Sequence, residues 1–162
     1  MSHPTGYSRL QIRLHWATAI LVALQFVFHE GISTAYDRAV ETGVYAPSFA
    51  VMAHSLPGVV ILILTIWRFS LRRGHGAPLP PEGEPAVFKK LSHLAHMGFY
   101  GLLVLLPLSG MAAWGGQIEA AGEVHEILKT LMLLLIIAHI IAALIHQFIW
   151  KTNLMDRMRR PS

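Results

Sequence analysis

The stretch VHEILKTLMLLLIIAHIIAALIHQFIW, residues 124–150, decides the fold. It is apolar enough over its length to cross a bilayer as a helix, yet it carries His125, His139 and His146. Ionisable side chains in such a helix are costly, so their default role is functional. His125 and His139 are fourteen residues apart, which in an α-helix sets them about 40° apart in azimuth and roughly 21 Å apart along the axis. One helix with that spacing can give an axial ligand to each of two haems stacked near opposite membrane surfaces. Hydrogen bonding to neighbouring helices or lipid headgroups would explain one such histidine better. The pair on one face favours haem.

Composition supports a membrane setting. Of 162 residues, 54% are hydrophobic and only 14% charged, and most of the apolar residues fall in four long runs, so the expectation is a single polytopic domain over 1–162. The chain has no cysteine, which excludes disulfides, thiolate metal sites, iron–sulfur clusters and covalent haem attachment through C-x-x-C-H. Any haem must be held non-covalently. Ten histidines stand beside nine acids, and imidazole is a common ligand for iron.

Working outward from the last span, the expected helices cover about 14–31, 49–71, 91–114 and 124–150. The first follows a short polar lead with Arg9 and Arg13; Ser33-Thr34-Ala35 resembles a signal cleavage site, but the apolar run is longer than a signal core and opens on His15. Residues 33–47 read as a polar loop broken by Gly43 and Pro47. Residues 74–86 hold three glycines and four prolines, a linker that continues neither neighbouring helix. Pro107 should kink the third span, with Ser109 or Gly110 re-satisfying the backbone it frees. Gly115 to Glu123 reads as a short acidic loop.

Four spans put the N-terminal lead, the 68–90 region and the C-terminal tail on one side. Arg9, Arg13, Arg68, Arg72, Arg73, Lys89, Lys90, Lys151, Arg157, Arg159 and Arg160 lie there, eleven of the thirteen lysines and arginines. Only Arg38 lies on the other side, with Lys129 inside the fourth span. Both termini are therefore expected to be cytoplasmic. Trp16, Trp67, Trp114 and Trp150 fall near span ends, where an interfacial aromatic belt is expected.

Two haems need four axial ligands, and depth limits the partners. On the outer side His125 can meet His54 or His29. On the inner side His139 or His146 can meet His15 or His96. His15 and His29 are also fourteen residues apart, so several schemes satisfy the spacing, and depth alone slightly prefers His146 for the inner site. His93 reads as a helix-start or headgroup contact, and His3 and His75 as solvated.

Four blocks resemble the bacterial cytochrome b561 family, most closely its superoxide oxidase branch. They are Tyr7-Ser8-Arg9-Leu10-Gln11-Ile12-Arg13-Leu14-His15-Trp16; Ala53-His54-Ser55 with Gly58; Leu91-Ser92-His93-Leu94-Ala95-His96 with Tyr100 and Leu106-Pro107-Leu108-Ser109-Gly110; and His125-Glu126, His139 and His146 with Trp150-Lys151-Thr152-Asn153-Leu154. The resemblance implies an all-α, integral membrane four-helix bundle with two non-covalent b haems. It implies His15 and His139 as iron ligands of the inner haem and His54 and His125 as those of the outer. His29 has no counterpart in that pattern; the loop joining the first two spans is longer, and that joining the last two shorter, than the family's.

Two histidines on each iron would leave no axial position for oxygen, so the expected work is electron transfer. The leading expectation, carried by the resemblance, is a multi-pass protein of the bacterial inner membrane. It would oxidise superoxide on the periplasmic side and reduce ubiquinone on the other. Arg13, His96, His146 and Lys151, with Arg72 or Lys89, are candidates for the quinone end. The outer acids Glu30, Asp37, Glu41, Glu119, Glu123 and Glu126 would repel an anion, unless Lys129 focuses it locally. Membrane lipid, quinone and superoxide or a periplasmic electron donor are the expected partners, and no nucleic acid. Two other functions fit the sequence: a cytochrome b anchor relaying electrons between quinone and a soluble dehydrogenase or hydrogenase, and a non-redox histidine-rich carrier of metal or protons.

Overall fold

A computed structural model describes residues 6–81 and 84–161; His3 lies outside them. Five α-helices follow in order: α1 (Arg9–Val27), α2 (His29–Thr42), α3 (Phe49–His75), α4 (Ala86–Gly115) and α5 (Glu119–Leu144). A π-helical turn, Ile145–Ile149, ends α5, and a 3₁₀ turn, Asp156–Met158, lies in the tail. Among the described residues there is no strand. Four helices, α1, α3, α4 and α5 with its π turn, are long and apolar enough to cross a membrane.

Local chemistry fixes the helix ends. Ser8 and Gln11 form a reciprocal capping box, so α1 starts at Arg9, a turn and a half before the apolar run. Ser48 accepts from Val51 N and starts α3 in the same way. α1 ends at Phe28, and α2 sets out as a separate amphipathic helix. It occupies most of the expected 33–47 loop, stopping where Gly43 takes a left-handed φ of 70°. The expected acidic loop at 115–123 is also shorter, since α4 runs through Gly115 and α5 begins at Glu119.

Three cross-links gather one end of the bundle. Gln11 Nε2 donates to Gly76 O at 3.2 Å, Trp16 Nε1 to Met158 O at 2.9 Å and Arg157 Nη1 to Leu79 O at 2.8 Å. This terminal end brings together the start of α1, the end of α3 and the tail. At the far end His29 on α2 meets Lys129 on α5. The buried centre is small: Ile61, Leu103 and Met132 from three helices, flanked by Leu21, Val22, Phe26, Phe99, Leu102, Leu106 and Ile136. Most other large apolar side chains face outward, as a lipid-embedded bundle requires. Thr18 and Thr65 are buried with their hydroxyls donated to Leu14 O and Ile61 O, so neither adds an unsatisfied group.

Both interior prolines are absorbed without breaking a helix. Pro57 leaves α3 short of one donor, and Gln25 Nε2 from α1 donates to His54 O at 2.7 Å, three residues before it. At Pro107 the Ser109 hydroxyl donates to Leu106 O at 2.9 Å. The carbonyl the proline leaves without its helical donor is that of Leu103, four residues before it, so this bond is not the re-satisfaction expected of Ser109.

Candidate functional site

The far end holds a histidine pair. His54 on α3 and His125 on α5 face each other with ring centroids 6.2 Å apart and planes at 71°. An imidazole nitrogen binds a transition metal at about 2 Å, so two rings sharing one metal have centroids roughly 6 Å apart. His125 Nδ1 lies 2.9 Å from Leu106 O and 3.0 Å from Ser109 Oγ. A carbonyl only accepts, so Nδ1 carries the proton and Nε2 keeps its lone pair, the arrangement a metal-ligating histidine needs. Gly110 lies against this ring; a Cβ there would sit 3.2 Å from His125 Cε1. Ser55 is not the supporting group for His54, because its hydroxyl is committed to Val51 O at 2.7 Å.

His29 is directed elsewhere. Its Nε2 meets Lys129 Nζ, and Lys129 is also paired with Glu126. His29 Nδ1 is buried with no partner among the described residues. Lys129 therefore has its charge offset by Glu126 and is a weak local attractor for an anion. Arg38, the other far-side cation, lines a cleft of about 370 Å³ with Gly31, Ala46, Pro47 and Trp114.

The inner residues gather around His139. His139 on α5 has its nearest histidine ring on α4: His96 lies 6.0 Å away at 88°, with Phe99 at 5.3 Å. His96 Nδ1 is 2.6 Å from Ser92 O, so it donates to its own helix and leaves Nε2 open. His15 on α1 has its Nδ1 facing Arg68 Nη2 at 3.1 Å. A guanidinium only donates, so His15 Nδ1 accepts and Nε2 holds the proton. Ligation by His15 would require this contact to open and the tautomer to change.

His146 sits in the π turn. Its Nε2 is 3.6 Å from Glu84 Oε1, its Nδ1 is 3.0 Å from Thr152 Oγ1, and Trp150 stacks edge-on at 4.6 Å. Its seven-residue offset from His139 keeps the two on one face, about 10 Å apart along the axis. Arg13 instead lines a surface cleft of about 430 Å³ with Arg9 and Arg159. Lys151 is exposed just past the π turn with a φ of 53°. Glu84 was no part of the expected site. A lone acid in a proline-rich linker gives no signal in the sequence.

These features define a class: a membrane bundle whose spans turn paired histidines inward at both ends. Residues 6–161 match the family model for prokaryotic cytochrome b561. A cytochrome b562 of Cereibacter sphaeroides is 38% identical over 162 residues, covering 99% of each chain. A protein of Yersinia pestis named probable superoxide oxidase is 28% identical, covering 94% of each. Cytochrome b561 homolog 1 of Escherichia coli is 28% identical, covering 94% of this chain and 96% of its own.

The chain belongs to the prokaryotic cytochrome b561 family. It is a bacterial membrane protein of haem b electron transfer.

Proposed function

We propose that the protein carries electrons across the bacterial inner membrane from superoxide, oxidised at the far, periplasmic end, to ubiquinone, reduced at the terminal, cytoplasmic end. The observation that carries this is the His54–His125 pair, two rings at a one-metal spacing with the second nitrogen of His125 tied to a carbonyl. These two residues would hold the outer haem b, with Gly110 giving it room. His139 would hold the inner haem b. His15 is the partner that the family resemblance gives, and His96 the one that ring geometry gives.

Haem held by these histidines would supply one-electron redox chemistry. The chain's own residues do the rest. Leu106 O and Ser109 orient His125, and the outward-facing apolar surface keeps the path in lipid. The balance is two superoxide ions giving two dioxygen molecules and two electrons, which with two protons convert ubiquinone to ubiquinol. Among the described residues no three histidines or acids converge as a directly bound metal ion needs, which disfavours a metal carrier.

The acidic far face favours a second reading, in which the donor is a soluble, positively charged redox protein. Stopped-flow mixing of the purified di-haem protein with superoxide separates the two. Rapid haem reduction, slowed in Lys129→Glu and sensitive to salt, supports superoxide. Reduction no faster than in that variant, with no salt response, removes superoxide and leaves the protein donor.

A further inference from the structure

Glu84 and His146 form a titratable pair that the electron path does not use. Their side chains are only 5% and 11% exposed. Removing a carboxylate and an imidazole from water is costly before their attraction offsets it, and an apolar pair in the same place is often more stable. Fastening the linker does not require them, because Gln11 and Arg157 already bond its Gly76 and Leu79 carbonyls and Phe88 stacks on Trp150 at 5.0 Å. The backbone under His146 is also irregular. Residues Ile145–Ile149 widen to a π turn, a rare conformation concentrated at functional sites. On that turn Gln147 Oε1 is buried with no hydrogen-bond partner among the described residues. It is an acceptor placed for a donor that arrives with a ligand, such as a quinol hydroxyl.

We propose that Thr152, His146 and Glu84 are a proton relay, with Glu84 the last group, handing protons to the quinone oxygens as the quinone is reduced. This rests on the quinone-reducing reading above. Nδ1 of the imidazole meets Thr152 Oγ1 at 3.0 Å, and Nε2 faces Glu84 Oε1 at 3.6 Å, an ion-pair distance. The Thr152 hydroxyl, which also reaches His146 O at 3.3 Å, turns from that carbonyl to Nδ1 to pass a proton, and a proton taken at one nitrogen is released at the other once Nε2 closes on Glu84. Thr152 lies between exposed Lys151 and Asn153, whereas the Glu84 side chain is 5% exposed. Solvent therefore feeds the Thr152 end. As each electron arrives, the O–H bond of the Glu84 carboxyl breaks and a quinone C–O–H forms. His146 Nε2–H then reprotonates Glu84, and Nδ1 refills through Thr152 from water. Two such cycles supply both protons of the quinol. The nearby cations, Lys151 beyond the π turn and Arg157 on the linker carbonyl, are placed at the water-facing side.

The test is the reoxidation of dithionite-reduced, haem-loaded protein by decylubiquinone in Glu84→Gln, Glu84→Asp and His146→Gln. Positioned acid–base groups contribute about a hundredfold or more, so Glu84→Gln should slow the saturated rate about a hundredfold with unchanged half-saturating quinone. Glu84→Asp should restore most of it, and His146→Gln should slow repeated turnover. In parallel, the reduced-minus-oxidised infrared difference spectrum should show a carboxyl band that Glu84→Gln removes. Wild-type rates in Glu84→Gln, a loss that tracks weaker quinone saturation alone, or an unchanged infrared spectrum would overturn the relay. If quinone fails to reoxidise even the wild type, the quinone reading falls and the relay with it.

Discussion

His54 and His29 compete for the same role on paper, and only their partners separate them. His54 faces His125, whereas His29 is turned to Lys129. His54→Ala should lower haem content by one per chain, as should His125→Ala, while His29→Ala keeps the wild-type complement; pyridine haemochrome counts each directly. The same assay on His15→Ala and His96→Ala decides the inner partner of His139. Gly110 makes a finer case. A methyl there presses the His125 ring from 3.2 Å, and disturbing the support of a metal ligand typically costs 10–100-fold in affinity. Gly110→Ala should weaken outer-haem binding by about that factor in haem titrations, with the inner haem unaffected. The histidines themselves were legible in the sequence, because imidazole inside a span has few uses. Which ring meets which was not. Residue spacing fixes depth along one helix and says nothing of the side from which a neighbouring helix approaches, so it left both His15 and His96 open as inner partners and did not place Arg68 against His15.

At the scale of the element, the four spans were legible from apolar length, and α2 was not. Its polar residues and lack of a long apolar run made 33–47 look like a loop, although Gly43 correctly marks the stop. The helix forms because its apolar side, including buried Ala39, lies on the bundle while its charges face out. Tyr36 shows how closely it docks. Its hydroxyl is buried against Gly122 of α5, so a Cβ at 122 would collide with the phenol. Burial, reinforced by Glu119 and Glu123, holds that hydroxyl above its ordinary pKa. Gly122→Ala should destabilise the protein by about 1–3 kcal/mol through overpacking, read as a lower midpoint in detergent thermal unfolding, and Tyr36→Ala in the same chain should recover part of it. Gln25→Leu tests the other inter-helix tie. Removing the amide that caps His54 O beside Pro57 should cost about 1–3 kcal/mol and loosen the outer site while leaving the inner haem in place.

For the whole molecule the governing asymmetry is charge. The terminal end collects nearly all the lysines and arginines, and the far end carries six acids on α2 and α5 against Arg38 and a neutralised Lys129. Composition made that division legible; that Glu126 would occupy Lys129 was hidden, because an i, i+3 pair in a sequence does not reveal whether a third group, here His29, competes for it. The consequence for the electron donor has a sign. Between an acidic face and superoxide the long-range force is repulsive, and raising ionic strength shortens its reach to about 10 Å at 0.1 M. Superoxide-driven haem reduction should therefore accelerate with salt, and Arg38→Glu should slow it most at low salt. A cationic protein donor is attracted by the same face, so its rate should fall steeply over the same range. Stopped-flow rates measured with superoxide across an ionic-strength series, in wild type and Arg38→Glu, thus read the sign of the field at the entry point. A falling slope with superoxide would mean that Arg38 and its cleft govern the local field, and that the six acids lie too far from the entry point to be felt.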